Sequence, residues 1–97
     1  MTDLCKEIAE MGKGIGNENR YKILEILMNG PCTVGQVAEK VRLAQPAVSQ
    51  NLKVLKTAKL VTDKRRGQEV YYSVNVAYMA KLLKQLAGDV EKCKNIK

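Results

Sequence analysis

Residues 33–56 show the pattern of two short helices joined by a tight turn. The run Thr33–Gln36 matches a capping box, in which the threonine hydroxyl accepts from one backbone N–H and the glutamine side chain reaches back to another. The helix that starts there should end near Arg42-Leu43, and a further helix begins almost at once at Gln45. Pro46 falls in the first turn of this fourth helix, where a missing N–H does no harm. The spacing predicts a helix-turn-helix.

After Lys59 the hydrophobic period changes from 3.6 residues to 2. Residues 60–65 and 69–74 are rich in β-formers, and the segment 66–68 between them carries arginine and glycine. This pattern predicts a hairpin with a basic tip. Because side chains alternate along a strand, three of them should face the core: Val70, Tyr72 and Val74.

Apolar stripes at steps of three and four residues predict three more helices. The first spans about residues 3–12 and is ended by the glycine-rich segment 12–16, the second spans 18–28 after a capping Asn17, and the last spans 76–92. In the second helix the stripe is Ile23, Leu24, Leu27 and Met28. The fold class is therefore mainly α with a β-hairpin wing, a winged helix-turn-helix of four helices, two strands and a fifth helix in a single domain over residues 1–97.

The length and composition are those of one small soluble domain. Its 97 residues, 45% of them apolar with no Phe or Trp, provide a modest core, so a second copy of the chain is a plausible source of extra burial. No apolar run approaches the roughly 20 residues that cross a bilayer, and the start of the chain lacks a signal-peptide pattern. Three cysteines are too few and too odd in number for a disulfide framework. We expect a cytoplasmic protein that does not enter a membrane.

The excess positive charge is concentrated in residues 40–66. That segment holds eight Lys and Arg against one acid, whereas the other residues carry nine of each sign. A solvated charged face usually mixes signs, so the segment indicates a polyanionic partner.

The run Leu43–Lys56, together with the order of the elements, resembles the ArsR/SmtB family of winged-helix repressors. Supporting pieces are Gly16–Leu24, Leu60-Val61 and Arg66–Tyr72, and the resemblance covers residues 15 to about 90. It implies a homodimer in which the first and last helices form a two-fold interface. The residues that would form this interface here are Leu4, Ile8, Met11, Met79, Leu83, Leu86 and Val90.

Two positions depart from the family pattern. Ala44 stands where a serine usually caps the recognition helix, so an orphan N–H there must find another partner. Lys59 stands where a glycine commonly follows that helix, and a left-handed conformation would cost a lysine about 1 kcal/mol. We therefore expect the fourth helix to end differently.

The fourth helix carries the candidate DNA-contacting residues. Side chains near the N-terminus of a recognition helix contact bases in the major groove, and the candidates are Gln45, Ala47, Ser49, Gln50 and Asn51. The candidates for phosphate contact from this helix and the wing are Lys53, Lys56, Lys64, Arg65, Arg66, Gly67 and Gln68. A two-fold dimer places two recognition helices about one helical turn apart, so the partner should be a double-stranded operator with an inverted repeat, its half-site centres roughly 10 bp or a multiple apart.

The resemblance also shows which sensor sites of the family are missing here. Because the chain has no histidine, the Asp/His/Glu zinc site that many members carry across their last helices cannot be built. Arsenic and cadmium sensors place a C-x-C pair where this chain has Thr33 and Gly35, and oxidant sensors place a second-helix cysteine where it has Glu25. We expect no metal site and no cofactor.

Cys5 in the first helix and Cys93 in the last are the candidate redox thiols, because the two helices should pack together in a dimer. A disulfide or persulfide bridge would require Cα atoms about 4.4 to 6.8 Å apart and could tilt the dimer. The alternative is that both are small buried hydrophobes. A third hypothesis adds Cys32 to make a three-thiolate site for As(III) or another soft ion, although Cys32 belongs to a different part of the fold.

The leading hypothesis is a dimeric transcriptional repressor that binds an operator and is switched by an oxidant or small inducer. The alternative keeps the fold but uses the basic face to bind a protein or RNA partner, and sequence-specific binding to an inverted-repeat duplex separates the two. An enzyme is not expected, since no residues show a recognisable nucleophile and base pairing.

Overall fold

The computed structural model describes residues 3–92, which form five helices and one antiparallel hairpin. The elements are α1 (Leu4–Ile15), α2 (Glu18–Met28), α3 (Val34–Val41), α4 (Gln45–Thr57), β1 (Val61–Arg66), β2 (Glu69–Val74) and α5 (Val76–Lys92). Their order is the predicted one, and Cys93 lies outside the described residues. None of the described helices is long and apolar enough to cross a membrane.

The core lies between α2, α3, α4 and the start of the hairpin. Nine of its side chains are less than 2% exposed: Ile23, Leu24, Val37, Val48, Leu52, Leu55, Leu60, Val61 and Leu82. The prediction that Met28 joins this core is wrong, because its side chain is 56% exposed. Met28 is the last residue of α2, where the helix extends past the core.

α1 is longer than predicted, because Gly12 and Gly14 lie inside the helix and do not end it. The physical reason is packing. A Cβ on Gly14 would lie 2.6 Å from Cδ1 of the buried Leu60, so glycine there allows α1 to approach the end of α4. Asp3 caps the N-terminus of the helix, because its side chain accepts from the backbone N–H of Cys5.

The start of the helix-turn-helix is confirmed. The backbone N–H of Thr33 donates to Oε1 of Gln36 at 2.9 Å, and the backbone N–H of Gln36 donates to Oγ1 of Thr33 at 3.2 Å, which completes the capping box. Arg42 ends α3 in a left-handed conformation with φ of 60°. Ala44 offers no side-chain cap to α4, and Pro46 lies in the first turn as predicted.

The expectation that α4 ends differently because of Lys59 is wrong. Lys59 adopts the left-handed conformation with φ of 66°. Its N–H donates to the carbonyl of Lys56, and the N–H of Leu60 donates to the carbonyl of Leu55, which together make a Schellman motif. Leu55 and Leu60 are both fully buried, so their packing stabilises a conformation that the lysine backbone alone disfavours.

The hairpin pairs β1 with β2 in the register Val61 opposite Val74 through Arg66 opposite Glu69. Arg66 therefore lies in the strand, and the turn has only two central residues. Gly67 at the first of them has φ of 63°, the pattern of a type II′ turn. Val70, Tyr72 and Val74 are all partly buried. Tyr72 and Val74 pack against the core as predicted, whereas Val70 lies nearer the tip and is not among the residues packed on it.

The base of the hairpin is attached to the segment before α3. Cys32 and Tyr72 form an isolated antiparallel bridge, in which the Cys32 N–H donates to the Tyr72 carbonyl at 3.1 Å and the Tyr72 N–H donates to the Cys32 carbonyl at 2.8 Å. The hairpin is thus fixed to the helix-turn-helix at one end and free at its tip.

α5 begins where the hairpin ends and packs against α1. Oδ1 of Asn75 accepts from the backbone N–H of Tyr78, and Nδ2 of Asn75 donates to the carbonyl of Lys59. The Tyr78 hydroxyl donates to Oε2 of Glu7 at 3.0 Å, which connects α5 to α1. The pKa of Tyr78 lies above its ordinary value, mainly because of burial and further because of the hydrogen bond to Glu7.

Candidate nucleic-acid interface

α4 has one buried and one exposed face. Val48, Leu52 and Leu55 are 0% exposed and hold the helix on the core. On the opposite face, four of the five predicted base-contacting residues are exposed to solvent: Gln45, Ala47, Ser49 and Gln50. The amphipathic pattern of this helix therefore sets which side chains a partner would meet.

Asn51 differs from the other four candidates, because both of its side-chain polar atoms are used within the chain. Its Nδ2 donates to the carbonyl of Ala47 at 3.0 Å, and its Oδ1 accepts from Nη1 of Arg20 at 3.4 Å. The residue is only partly exposed. In the structure without DNA, the amide of Asn51 therefore already has two partners within the chain, and its contact with a base stays a prediction.

Lys56 is also engaged inside the chain. Its Nζ lies 2.8 Å from Oδ2 of Asp63 on β1, and the pKa of Lys56 is raised, first by this hydrogen bond and then by the opposite charge. Asp63 is the single acid of the basic segment. The ammonium of Lys56 thus connects α4 to the hairpin in the structure without DNA, and its predicted phosphate contact stays a prediction.

The other candidate phosphate ligands are exposed. Lys53, Lys64 and Arg65 form no ion pair within residues 3–92, so their charges are available to a polyanion. The Arg66 guanidinium lies 5.8 Å from the centre of the Tyr71 ring, a cation–π distance, and the Tyr71 hydroxyl donates to Oε2 of Glu69. Gly67 and Gln68 form the exposed turn at the tip.

Arg20 is a residue of this site that the sequence reasoning missed. It lies three, four and seven positions before Ile23, Leu24 and Leu27, which places a charged side chain on the apolar stripe of α2. That spacing was a usable signal, since a cation on a buried face needs partners. Its guanidinium contacts α1 and α4.

The cysteines are placed in different surroundings. Cys5 is exposed and Cys32 is buried, with Sγ of Cys32 3.9 Å from Nζ of Lys40. The alternative that Cys5 is a small buried hydrophobe is therefore wrong, whereas Cys32 does fit that description. Between residues 3 and 92, no group of three or more His, Cys, Asp or Glu side chains is arranged to hold a metal ion.

The terminal helices leave an apolar surface uncovered. Leu83, Leu86 and Val90 on α5 are 49%, 38% and 61% exposed. Leu4 and Ile8 of α1 are partly buried against the core. Met11 is only 4% exposed and belongs to the core of its own chain, because α1 turns that side toward α4 and α2. This burial leaves the Met11 side chain little exposed surface for the predicted interface.

The helix-turn-helix followed by a basic hairpin defines the class of winged helix-turn-helix domains. Comparisons with known proteins agree. The model of the family described as "Bacterial regulatory protein, arsR family" matches residues 17–63. The transcriptional repressor SdpR of Bacillus subtilis is 34% identical over 83 residues, which are 86% of this chain and 92% of that protein.

Solved structures give the same result. NolR from Sinorhizobium fredii has a TM-score of 0.72 and 33% identity, over 87% of this chain and 84% of that one. A homodimeric winged helix-turn-helix DNA-binding domain from Mycobacterium bovis has a TM-score of 0.76 and 28% identity, over 100% and 95% of the two chains. The chain belongs to the arsR family of bacterial regulatory proteins, as the resemblance predicted. These relatives are transcriptional regulators rather than enzymes.

Proposed function

We propose that this chain represses transcription by binding an inverted-repeat operator as a homodimer. The observation that carries the proposal is the placement of α4, which buries three apolar side chains and exposes the polar ones of its N-terminal half beside a basic hairpin. A helix held in this way fits the major groove, and a cationic wing beside it fits the adjacent backbone.

The base contacts are assigned to the exposed residues at the start of α4. Gln45 and Gln50 carry amides that match the two groups adenine shows in the major groove, and Ser49 donates to or accepts from several bases. Ala47 provides a small apolar surface for a thymine methyl group. Asn51 is left out of this set, since its amide already has two partners.

The phosphate contacts are assigned to Lys53 on α4 and to the hairpin residues Lys64, Arg65, Arg66, Gly67 and Gln68. Their exposure supports the assignment, as does the net charge of residues 40–66. Each phosphate they neutralise steepens the log-log salt dependence of binding by about 0.9. These residues set affinity more than sequence preference.

The dimer is assigned to α5 and α1. The exposed Leu83, Leu86 and Val90 make a stripe along α5 that would be costly to leave in water, and Leu4, Ile8 and Met79 lie partly buried beside the core. The M. bovis relative is homodimeric. A two-fold dimer would bring two copies of α4 to successive major grooves on one face of the duplex.

The test is a fluorescence-anisotropy titration of a duplex from upstream of the protein's own gene against a random duplex, in about 150 mM salt. We expect at least about a thousandfold preference for the upstream duplex. Equal, strongly salt-dependent binding to both duplexes would contradict the proposal and favour the protein- or RNA-binding alternative.

The same titration tests the thiol switch that the sequence predicted. Reduced and mildly oxidised protein are compared, with Cys5→Ser and Cys93→Ser variants as controls. A change in operator affinity that both variants abolish would support a Cys5–Cys93 switch. A change that survives in the variants would assign it to Cys32, and no change would leave a repressor with another inducer or none.

A further inference from the structure

Arg20 joins three helices through a single guanidinium. Its Nε donates to the carbonyl of Gly14 at 2.8 Å and its Nη2 to the carbonyl of Lys13 at 2.9 Å. Both carbonyls belong to the last turn of α1, where backbone oxygens have no partner within the helix. Its Nη1 donates to Oδ1 of Asn51 on α4. The side chain thus caps α1 and contacts the recognition helix at the same time.

Asn51 continues this connection into the part of α4 that faces outward. Its Nδ2 donates to the carbonyl of Ala47, one turn nearer the N-terminus of the helix. Ala47 is exposed on the surface assigned to base contacts. A continuous set of hydrogen bonds therefore leads from the end of α1, through Arg20 and Asn51, to the backbone of the base-contacting turn.

The chemistry of the contact suits an arginine in particular. The contact needs three N–H donors on one planar group that point in fixed directions, two toward α1 and one toward α4. A lysine has a single nitrogen on a flexible stem and cannot reproduce this fork. Three of the five guanidinium N–H donors are thus engaged within the chain, which separates Arg20 from the exposed cations of the hairpin.

We propose that Arg20 is a positioning residue that sets the angle of α4 relative to α1 and thereby adjusts the DNA-binding surface to the dimer. The inference rests on the proposed operator binding, in which α1 belongs to the dimer interface and α4 enters the groove. Since a shift of the recognition helix by a fraction of a turn misaligns hydrogen bonds to bases, the role concerns specificity. Phosphate contacts tolerate such a shift better.

The experiment measures operator and random-duplex affinities, the salt slope and the unfolding free energy for Arg20→Met, Arg20→Lys and Asn51→Ala. Arg20→Met keeps the aliphatic volume, and Asn51→Ala leaves both bonds to α1 intact. Lys22→Met is the matched control, because it removes one positive charge from the same helix at an exposed position paired with Glu18.

We expect Arg20→Met and Asn51→Ala each to lower the ratio of operator to random affinity about tenfold, the size of one hydrogen bond to a charged group. The salt slope should stay unchanged. In the Arg20→Met/Asn51→Ala double variant, the affinity ratio should fall no further than in the single variant with the lower ratio. The reason is that both changes break the same connection. Arg20→Lys should not restore the ratio, and Lys22→Met should leave it at the wild-type value.

Three results would overturn the positioning role. The first is an equal loss on both duplexes with a smaller salt slope, which would make Arg20 a phosphate ligand. The second is an unchanged affinity ratio in folded Arg20→Met and Asn51→Ala, which would make the contact purely structural. The third is full additivity of the two changes. A wild-type protein without any operator preference would instead overturn the proposed function itself, so the two failures are distinguishable.

Discussion

Lys59 closes the recognition helix in a conformation that suits glycine. Its φ of 66° costs a residue with a Cβ about 1 kcal/mol or more. The two backbone bonds of the Schellman motif and the packing of Leu55 on Leu60 offset that cost. A strained backbone position of this kind is stabilised by its surroundings rather than by its own preference.

Lys59→Gly should therefore raise the free energy of unfolding by about 0.5–1 kcal/mol, because the relief of strain exceeds the added flexibility of the unfolded chain. Urea unfolding monitored by circular dichroism measures the change. Lys64→Gly is the control, since Lys64 lies in a strand with an ordinary φ, and it should destabilise the protein. A destabilised Lys59→Gly variant would show that the lysine side chain has a role that its backbone does not reveal.

Gln50 and Arg66 should affect DNA binding in different ways. Gln50→Ala should weaken operator binding by about 1–3 kcal/mol and relax preference at one base pair, because it removes a base contact.

Arg66→Ala should weaken operator and random duplex about equally and lower the salt slope by about 0.9, because it removes a phosphate contact. Anisotropy titrations at several salt concentrations give both quantities. Equal losses on both duplexes from Gln50→Ala would remove it from the base-contacting set.

At the level of residues, the sequence predicted which side chains are exposed to solvent better than it predicted which side chains hydrogen-bond to each other. The exposed side of α4 follows from the spacing of Val48, Leu52 and Leu55, which a helical period fixes. The bonds of Asn51 to Arg20 and of Lys56 to Asp63 could not be predicted in that way. They depend on how separate elements are placed in space, and no local pattern records that.

At the level of elements, the hydrogen bond from Tyr78 to Glu7 links α5 to α1. The pKa of Tyr78 is raised in the folded chain, so its contribution to stability is complete below about pH 10, the pKa of the unfolded tyrosine. As the pH rises through the folded pKa, the unfolded chain deprotonates first and the free energy of unfolding falls.

Tyr78→Phe should therefore flatten the loss of stability above about pH 10. It should also lower stability at pH 7 by roughly 1 kcal/mol through loss of the hydrogen bond. Thermal unfolding at a series of pH values measures both effects. The Lys56–Asp63 pair is also lost at high pH, when Lys56 deprotonates above its raised pKa, but this loss is equal in both proteins. An unchanged alkaline slope in Tyr78→Phe would contradict the assignment.

The elements themselves were well predicted where their signals were local. The capping box at Thr33 and the change of period after Lys59 located α3 and the hairpin to within a residue or so. The predicted end of α1 at the glycine-rich segment is wrong, because Gly12 and Gly14 lie inside the helix. Packing of Gly14 against Leu60 outweighs the low helix propensity of glycine, and a sequence pattern contains no information on such a close approach.

At the level of the whole molecule, the chain leaves its last helix incompletely covered. Leu82 is fully buried within the protomer, but Leu83, Leu86 and Val90 are not. The described residues thus cover the apolar stripe of α5 only in part, which is typical of a helix that packs against a partner. The composition made a second copy a plausible source of burial, and the spacing of the apolar residues together with the family resemblance predicted that Leu83, Leu86 and Val90 would meet it.

Leu83→Lys should convert the proposed dimer to a monomer, because it places a charge in the apolar stripe without touching the core. Sedimentation equilibrium should then give the mass of one chain, and operator affinity should fall far more than random-duplex affinity does. Lys84→Ala is the control on the neighbouring exposed position and should leave the mass unchanged. A wild-type protein that sediments as a monomer would contradict the dimer at once.

The bridge between Cys32 and Tyr72 separates the hairpin into an inner and an outer part. The inner part is hydrogen-bonded to the segment before α3, whereas in the outer part, around Gly67, the two strands contact mainly each other. If the wing bends against an uneven duplex, the bending should therefore be confined to the tip of the hairpin, while its base stays fixed to the helix-turn-helix. Native-state hydrogen exchange should show this as fast exchange at Lys64 and Arg65 and slow exchange at the amides of Cys32 and Tyr72.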